Sequence, residues 1–275
     1  MLRRYPSSAC PNTKTRHRRE SARNAIVLLS GFLRYRVIVS GALGSVIAAS
    51  WAYLWLGGGQ IMAMPSEWSV PYAALIFVMW VVMMAAMMLP GAAPTVLLVT
   101  TLASGRTANS KLIPATAILF ASGYLVVWCG FSLAATLLQW GLDKAGLLSE
   151  TMAFDNGTSA GAVFVAAGIY EWTPLKDACL RHCRSPTEFL VRHWRQGVLD
   201  AVVTGMRHGT FCLGCCWLLM ALLFVGGLMN LAWVAAIILL VLLQKTIPWG
   251  ETSLLTGAVF IEWGFVSLVR AGFIA

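Results

Sequence analysis

The sequence predicts an all-α fold, a polytopic transmembrane helical bundle of about seven spans. Three observations predict it. The chain is 59% hydrophobic and only 11% charged, whereas soluble domains carry roughly 25% charged residues. Its mean hydropathy is +0.75, too little polarity to cover a water-facing globule of 275 residues. The apolar residues fall into runs near the ~20 residues that a helix needs to cross a bilayer. No alternating pattern of a barrel strand appears, which leaves helices, because backbone groups in lipid must be satisfied internally.

Seven segments meet this description: Val37–Leu56, Val70–Leu89, Leu112–Trp140, Thr158–Trp172, Ala201–Gly226, Leu231–Trp249 and Leu254–Phe273. The second extends past Pro90 and Pro94 to about Ala103 if those prolines only kink it. The fourth is short and rich in Gly and Ala, a composition suited to close helix packing; without it the count is six. Residues 1–36 form a basic tail predicted to be disordered and cytoplasmic. Residues 37–275 form a single transmembrane helical domain.

Charge placement orients the chain. The net charge is +9, and residues 1–36 hold nine Lys/Arg against Glu20 alone. With this tail inside, the other cytoplasmic segments carry Arg106 and Lys111, then Lys176, Arg181, Arg184, Arg192 and Arg195. The opposite connections, 57–69 and 141–157, hold only Lys144. This is the positive-inside pattern of a multi-pass protein of the cell inner (plasma) membrane with a cytoplasmic N-terminus. Trp51, Trp55, Trp68, Trp140, Trp172 and Trp249 fall near span ends, as in an aromatic belt. The tail lacks interleaved aromatics, so its partner is expected to be the anionic bilayer surface, with no nucleic acid.

Three constellations carry chemistry. The first is the run 79–88, in which Met79, Met83, Met84, Met87 and Met88 make up half the residues. Met79, Met83 and Met87 share a helical stripe, flanked by Met84 and Met88. Thioethers are soft ligands that select Cu(I), although Met is equally an adaptable packing residue. The second runs from Arg207 to Met220. On a helix with His208 at zero, Cys212 lies at about 40°, Cys215 at about −20° and Cys216 at about 80°. Imidazole and thiolate on one face suit Cu(I) or Zn(II), but one helix cannot close a four-ligand shell, so a partner helix is required. Gly205, Gly209 and Gly214 would let a neighbour approach this helix.

The third constellation is Cys179 and Cys183, i and i+4 on a short helix expected between Pro174 and Pro186. Lys176, Arg181 and Arg184 are expected to lower these thiols' pKa values. Glu262, near the middle of the last span, is the most conspicuous intramembrane charge, while Lys245 is read as snorkelling to the interface. Cys129 is read as helix packing; Cys10, His17 and His193 belong to tail and loop. No phosphate loop, hydrolase motif or general acid–base set appears, so an enzyme is disfavoured.

These residues resemble a bacterial family of unknown function described as predicted metal-binding integral membrane proteins. The resemblance lies in Met79-Trp80 through Leu89-Pro90, Gly123-Tyr124 with Trp128, Gly168-Ile169-Tyr170, and Pro174-Leu175-Lys176. It continues through Cys179 to Pro186, His208 to Met220, Gly227 to Asn230, Lys245 and Pro248, covering roughly residues 70–250. Two positions depart from the family pattern. Glu171 stands where the family commonly has Gln, and Gln244 where it commonly has Glu. The resemblance implies metal binding.

Three functional readings follow. One is handling of a soft transition metal, foremost Cu(I), by His208, Cys212, Cys215 and Cys216. Cys179 and Cys183 would then be a cytoplasmic access site, and the Met stripe a relay or lining. A soluble metal-binding partner protein fits this reading, and small-residue faces allow a homo-oligomer. The second is a thiol–disulfide relay. The third is a non-catalytic scaffold or partner subunit with the sulfur residues serving packing.

Overall fold

The computed structural model describes residues 35–57, 68–106, 112–149, 151–185, 190, 198–247 and 251–272. Most of the basic tail, with Cys10 and His17, and also His193 and Trp249, lie outside the described residues. Those described form an all-α bundle. Its helices are α1 (Tyr35–Gly57), α2 (Val70–Arg106), α3 (Leu112–Lys144), α4 (Gly157–Glu171), α5 (Pro174–Arg184), α6 (Val198–Ala221), α7 (Leu223–Gly226), α8 (Leu231–Thr246) and α9 (Glu251–Arg270).

Among the described residues, five helical stretches are long and apolar enough to cross a membrane: α1, α2, α3, α6 continued through α7, and α9. The other two expected spans are shorter. The 15 residues of α4 and the 16 of α8 reach only about 22–24 Å at 1.5 Å per residue. Their ends are set locally. Asn156 caps α4 by accepting the Ser159 amide at 2.7 Å, and Asn230 caps α8 by accepting the Trp233 amide at 3.2 Å. The second span does continue past both prolines, as one helix of 37 residues. Each proline only removes one intrahelical bond.

The outward faces are apolar. Leu137, Leu138, Leu255, Val259, Trp263 and Phe265 are all about half exposed or more, a surface that water would not favour. Cys129 lies on such a face and is exposed; it does not serve packing. Glu262 is exposed on α9 and is not turned into the bundle.

Glycines set the closest approaches. On α3 and α6, a Cβ at Gly123 would strike the Val202 carbonyl, and one at Gly205 the Phe120 carbonyl. On α4 and α9 the arrangement is reciprocal. A Cβ at Gly161 would sit 2.8 Å from the Gly264 carbonyl and one at Gly264 2.8 Å from the Gly161 carbonyl. Gly168 and Gly257 repeat this one heptad along, at 2.7 and 2.9 Å. The small residues of the fourth segment thus do the packing that its composition implied. Helix α5 starts with Pro174 at its first turn and Thr173 as cap, whose hydroxyl accepts the Lys176 amide at 3.3 Å. It packs on α6 and touches α8.

Gly264→Leu is expected to lower the thermal unfolding midpoint of the detergent-solubilised protein markedly, because overpacking typically costs about 1–3 kcal/mol and here the neighbour is backbone. Gly130→Ala, which meets nothing within 4 Å on α3, is expected to leave the midpoint unchanged or raise it slightly.

Candidate metal centre

The predicted face of α6 is buried. His208, Cys212, Cys215 and Cys216 are each at most 3% exposed. The required partner helix is α5. Cys183 Sγ lies 4.0 Å from Cys215 Sγ and also hydrogen-bonds with Cys212. Cys179 packs on Gly214, where a Cβ would stand 2.7 Å from its sulfur. Tyr170 at the end of α4 donates its hydroxyl to the Gly214 carbonyl. The glycine thus admits both α5 and the tyrosine to the α6 surface.

Cys212 is the hub. Its carbonyl accepts the Cys215 thiol at 3.0 Å and the Cys216 thiol at 2.9 Å. Its sulfur receives two further polar groups, Lys245 Nζ from α8 at 3.1 Å and Tyr124 Oη from α3 at 3.0 Å. The tyrosine hydroxyl also reaches the Met88 carbonyl of α2, 3.2 Å away. The Lys245 ammonium donates to this sulfur, and the Tyr124 hydroxyl stands within hydrogen-bond reach of it while donating to the Met88 carbonyl. Lys245 therefore does not snorkel. It turns inward past Gly91, whose missing side chain makes the room: a Cβ there would lie 3.0 Å from Nζ.

His208 lies one turn before Cys212, its ring between those of Phe120 and Tyr124 at centroid distances of 5.8 and 5.7 Å. The shared face does not make it a ligand of a preformed site. Among the described residues, no three His, Cys, Asp or Glu side chains converge closely enough to hold a metal ion. None of the described cysteines is in a disulfide.

The basic residues near α5 do not lower its thiols' pKa values, contrary to the expectation from their proximity in sequence. Burial, then the neighbouring Cys215, pushes the Cys179 thiol up. Hydrogen bonds with Cys212 and Cys215, then burial, push Cys183 well up. The positive charges are engaged elsewhere. Arg181 pairs with Asp177 at the surface, 3.3 Å away. Arg184 donates Nε to the Gln244 carbonyl at 2.8 Å. Lys176 is 1% exposed and its ammonium pairs with Glu171.

That lysine belongs to a closed buried triad. Lys176 Nζ also donates to Gln244 Oε1 at 2.9 Å, and Gln244 Nε2 donates to Glu171 Oε2 at 2.9 Å. The two positions at which the resemblance departs thus meet in one triad, which holds one anion for its one cation.

The methionine stripe is fully buried, each of its five side chains at most 1% exposed, and it divides. Met84, Met87 and Met88 lie within about 60° of Gly91 around α2, on the side that meets Lys245. Met79 and Met83 lie further round and further along the same helix, about 120° and 80° from Gly91, and line a small cavity with Tyr53, Leu54, Leu228, Met229 and Leu231. Tyr124, Gly91, Tyr170 and Met229 are not among the expected site residues; Tyr124, Tyr170 and Met229 lie in stretches that carry the family resemblance, but only the tertiary approach brings them to the cluster or the cavity.

The model of one family, described as PpoB2: Copper chaperone, matches residues 77–267. The chain belongs to this PpoB2 copper chaperone family. The match takes in α3 to α8 and every residue of the thiol cluster. Neither a curated protein nor a solved structure matches the chain.

Glu171→Gln is expected to destabilise the protein by about 3–5 kcal/mol, because it leaves the buried Lys176 without an anion. The double variant Glu171→Gln/Gln244→Glu is expected to recover most of that loss, measured as unfolding midpoints of wild type, both singles and the double.

Proposed function

We propose that this member of the copper chaperone family is an integral membrane protein that handles Cu(I) through the thiols of Cys183, Cys212 and Cys215. The observation that carries the reading is the meeting of α5 and α6 at these sulfurs, with Lys245 and Tyr124 directed at Cys212. Two sulfurs bound at about 2.3 Å to one metal in trigonal geometry stand about 4.0 Å apart. Cys183 and Cys215 have that separation. A small closure around an ion would bring in Cys212.

The donor chemistry favours Cu(I). The cluster is sulfur-rich and buried, and no carboxylate takes part in it, which selects a soft ion over a hard one. Thiolates carry more negative charge than one monovalent ion cancels. The Lys245 ammonium offsets part of the excess inside a medium that penalises it. Cys179, Cys216 and His208 surround this set as reserve donors, and Met84, Met87 and Met88 line its α2 side. In the orientation set by the basic segments, α5 lies at the cytoplasmic end of the bundle. There Cys179 and Cys183 would exchange copper with a soluble metal-binding partner.

Anaerobic Cu(I) loading followed by metal analysis is expected to leave wild type with bound copper. The Cys212→Ser/Cys215→Ser/Cys216→Ser variant should lose about one equivalent. Equal copper in both proteins, or preferential retention of Zn(II), would overturn the reading. A second expectation follows from the raised thiols of Cys179 and Cys183. They are protonated at neutral pH, so copper must displace protons, and affinity should rise from pH 6 to pH 8. The gain is up to about tenfold per unit per proton displaced. Competition with a Cu(I) chelator of known pH dependence measures it.

A further inference from the structure

We propose that Met79, Met83 and Met229 form a second Cu(I) site, built of thioethers alone and separate from the thiol cluster. This rests on the copper reading above and adds to it a site at the other end of the α2 stripe.

The three thioether side chains line one cavity, although they come from places far apart in the chain. Met79 and Met83 are i and i+4 on α2, so their side chains stack on one face. Met229 comes from the turn between α7 and α8, and that turn is locally built. Gly227 takes φ +88°, a conformation that side-chain-bearing residues rarely adopt. Its carbonyl accepts the Asn230 amide at 3.2 Å, and Asn230 then caps α8. Met229 is thus held between two fixed backbone features.

The cavity selects by size and by donor. It holds about 10 Å³, near the lower limit of ~10–15 Å³ for a single water. A bare ion fits and a hydrated one does not. Its other lining residues are Tyr53, Leu54, Leu228 and Leu231, with no carboxylate, imidazole or amide. Hard cations would have to shed water for no adequate ligand. Three neutral thioethers suit a monovalent soft ion, Cu(I).

The position also connects the two sites. Along α2 the rise from Met83 to Met88 is only about 7.5 Å. The Met88 carbonyl holds the Tyr124 hydroxyl that touches Cys212. In the orientation argued above, Met79 and Met83 occupy the outer half of the bundle and Cys212 the cytoplasmic half.

The test uses full-length protein loaded with Cu(I) and read by metal analysis and X-ray absorption. The Met79→Leu/Met83→Leu/Met229→Leu variant keeps apolar volume, so its unfolding midpoint should hold. It is expected to lose one copper equivalent while the thiolate signal remains. The Cys212→Ser/Cys215→Ser/Cys216→Ser variant is expected to keep one copper in purely thioether coordination, with occupancy independent of pH between 6 and 8, because thioethers release no proton. Met229→Leu alone, at the half-buried turn, guards against a folding artefact and should weaken the pH-independent copper at least tenfold. Unchanged copper and spectrum in the methionine triple variant would overturn the proposal, as would an empty cysteine triple variant. The thiol reading fails separately, if the cysteine variant loses nothing.

Discussion

An ammonium drawn into a bundle must find its counter-charge there, and two lysines, Lys176 fully buried and Lys245 half-buried, meet that constraint in different ways. Lys176 is closed into a triad with Glu171 and Gln244, in which donors and acceptors are matched across α4, α5 and α8. Lys245 is given a sulfur and no carboxylate. The first arrangement is self-sufficient and therefore structural. The second would be complete with negative charge on Cys212, which a thiol acquires by losing its proton or by exchanging it for a metal. The same physical demand thus fixes the frame at one lysine and, on the proposed function, suits the other to soft-metal chemistry.

The frame brings these groups together because backbone can touch backbone. Gly123 and Gly205 let α3 lie against α6, which carries Tyr124 to Cys212. Gly214 admits Cys179 and the Tyr170 hydroxyl, and Gly91 admits Lys245. Gly123 directly precedes Tyr124, and Gly214 lies between Cys212 and Cys215. A side chain at any of them would separate the sulfur cluster from one of its neighbours. Far from the cluster, the reciprocal glycine pairs of α4 and α9 brace the short helix α4. Its C-terminus presents both Tyr170 and Glu171 to the interior.

Much of the architecture was legible in the sequence, since helix formation and burial leave periodic traces. The continuous α2 through two prolines, the capped α5 between its prolines and the buried face of α6 all follow from local pattern. The fourth segment has the 15 residues expected of it, shifted by one, whereas α8 ends at Thr246, short of the expected Trp249, because hydropathy continues past the Ile247 cap. The charges were harder to place. Glu262 stands in an apolar helix and drew the eye, yet it faces outward, while Lys245 at a helix end turned inward. Position within a helix says how deep a residue lies but not which neighbour its face meets. The Lys245–Cys212 contact spans 33 residues and the Tyr124–Cys212 contact 88, and no periodicity reports on such pairs. Glu171 and Gln244 are far apart in sequence for the same reason, and only the fold shows that they touch.

The division of the methionine stripe bears on how copper would be handed on. A thioether is neutral, so an ion leaves it without waiting for a proton. A thiol holds copper as thiolate, more tightly, but only by giving up a proton, and in a buried cluster that proton is costly to remove. An ion moving from Met79 and Met83 toward Cys212 therefore passes from ligands that bind weakly at every pH to ligands whose hold depends on pH. The step is favourable when protons can leave toward the side where α5 lies, and it reverses when they return. Lys245 lowers the charge penalty of the loaded thiolates without itself exchanging a proton with the metal. If copper is handed along α2 as proposed, the direction of transfer would be set by proton availability around α5, and the apolar cavity at the far end of α2 would need no titrating group at all.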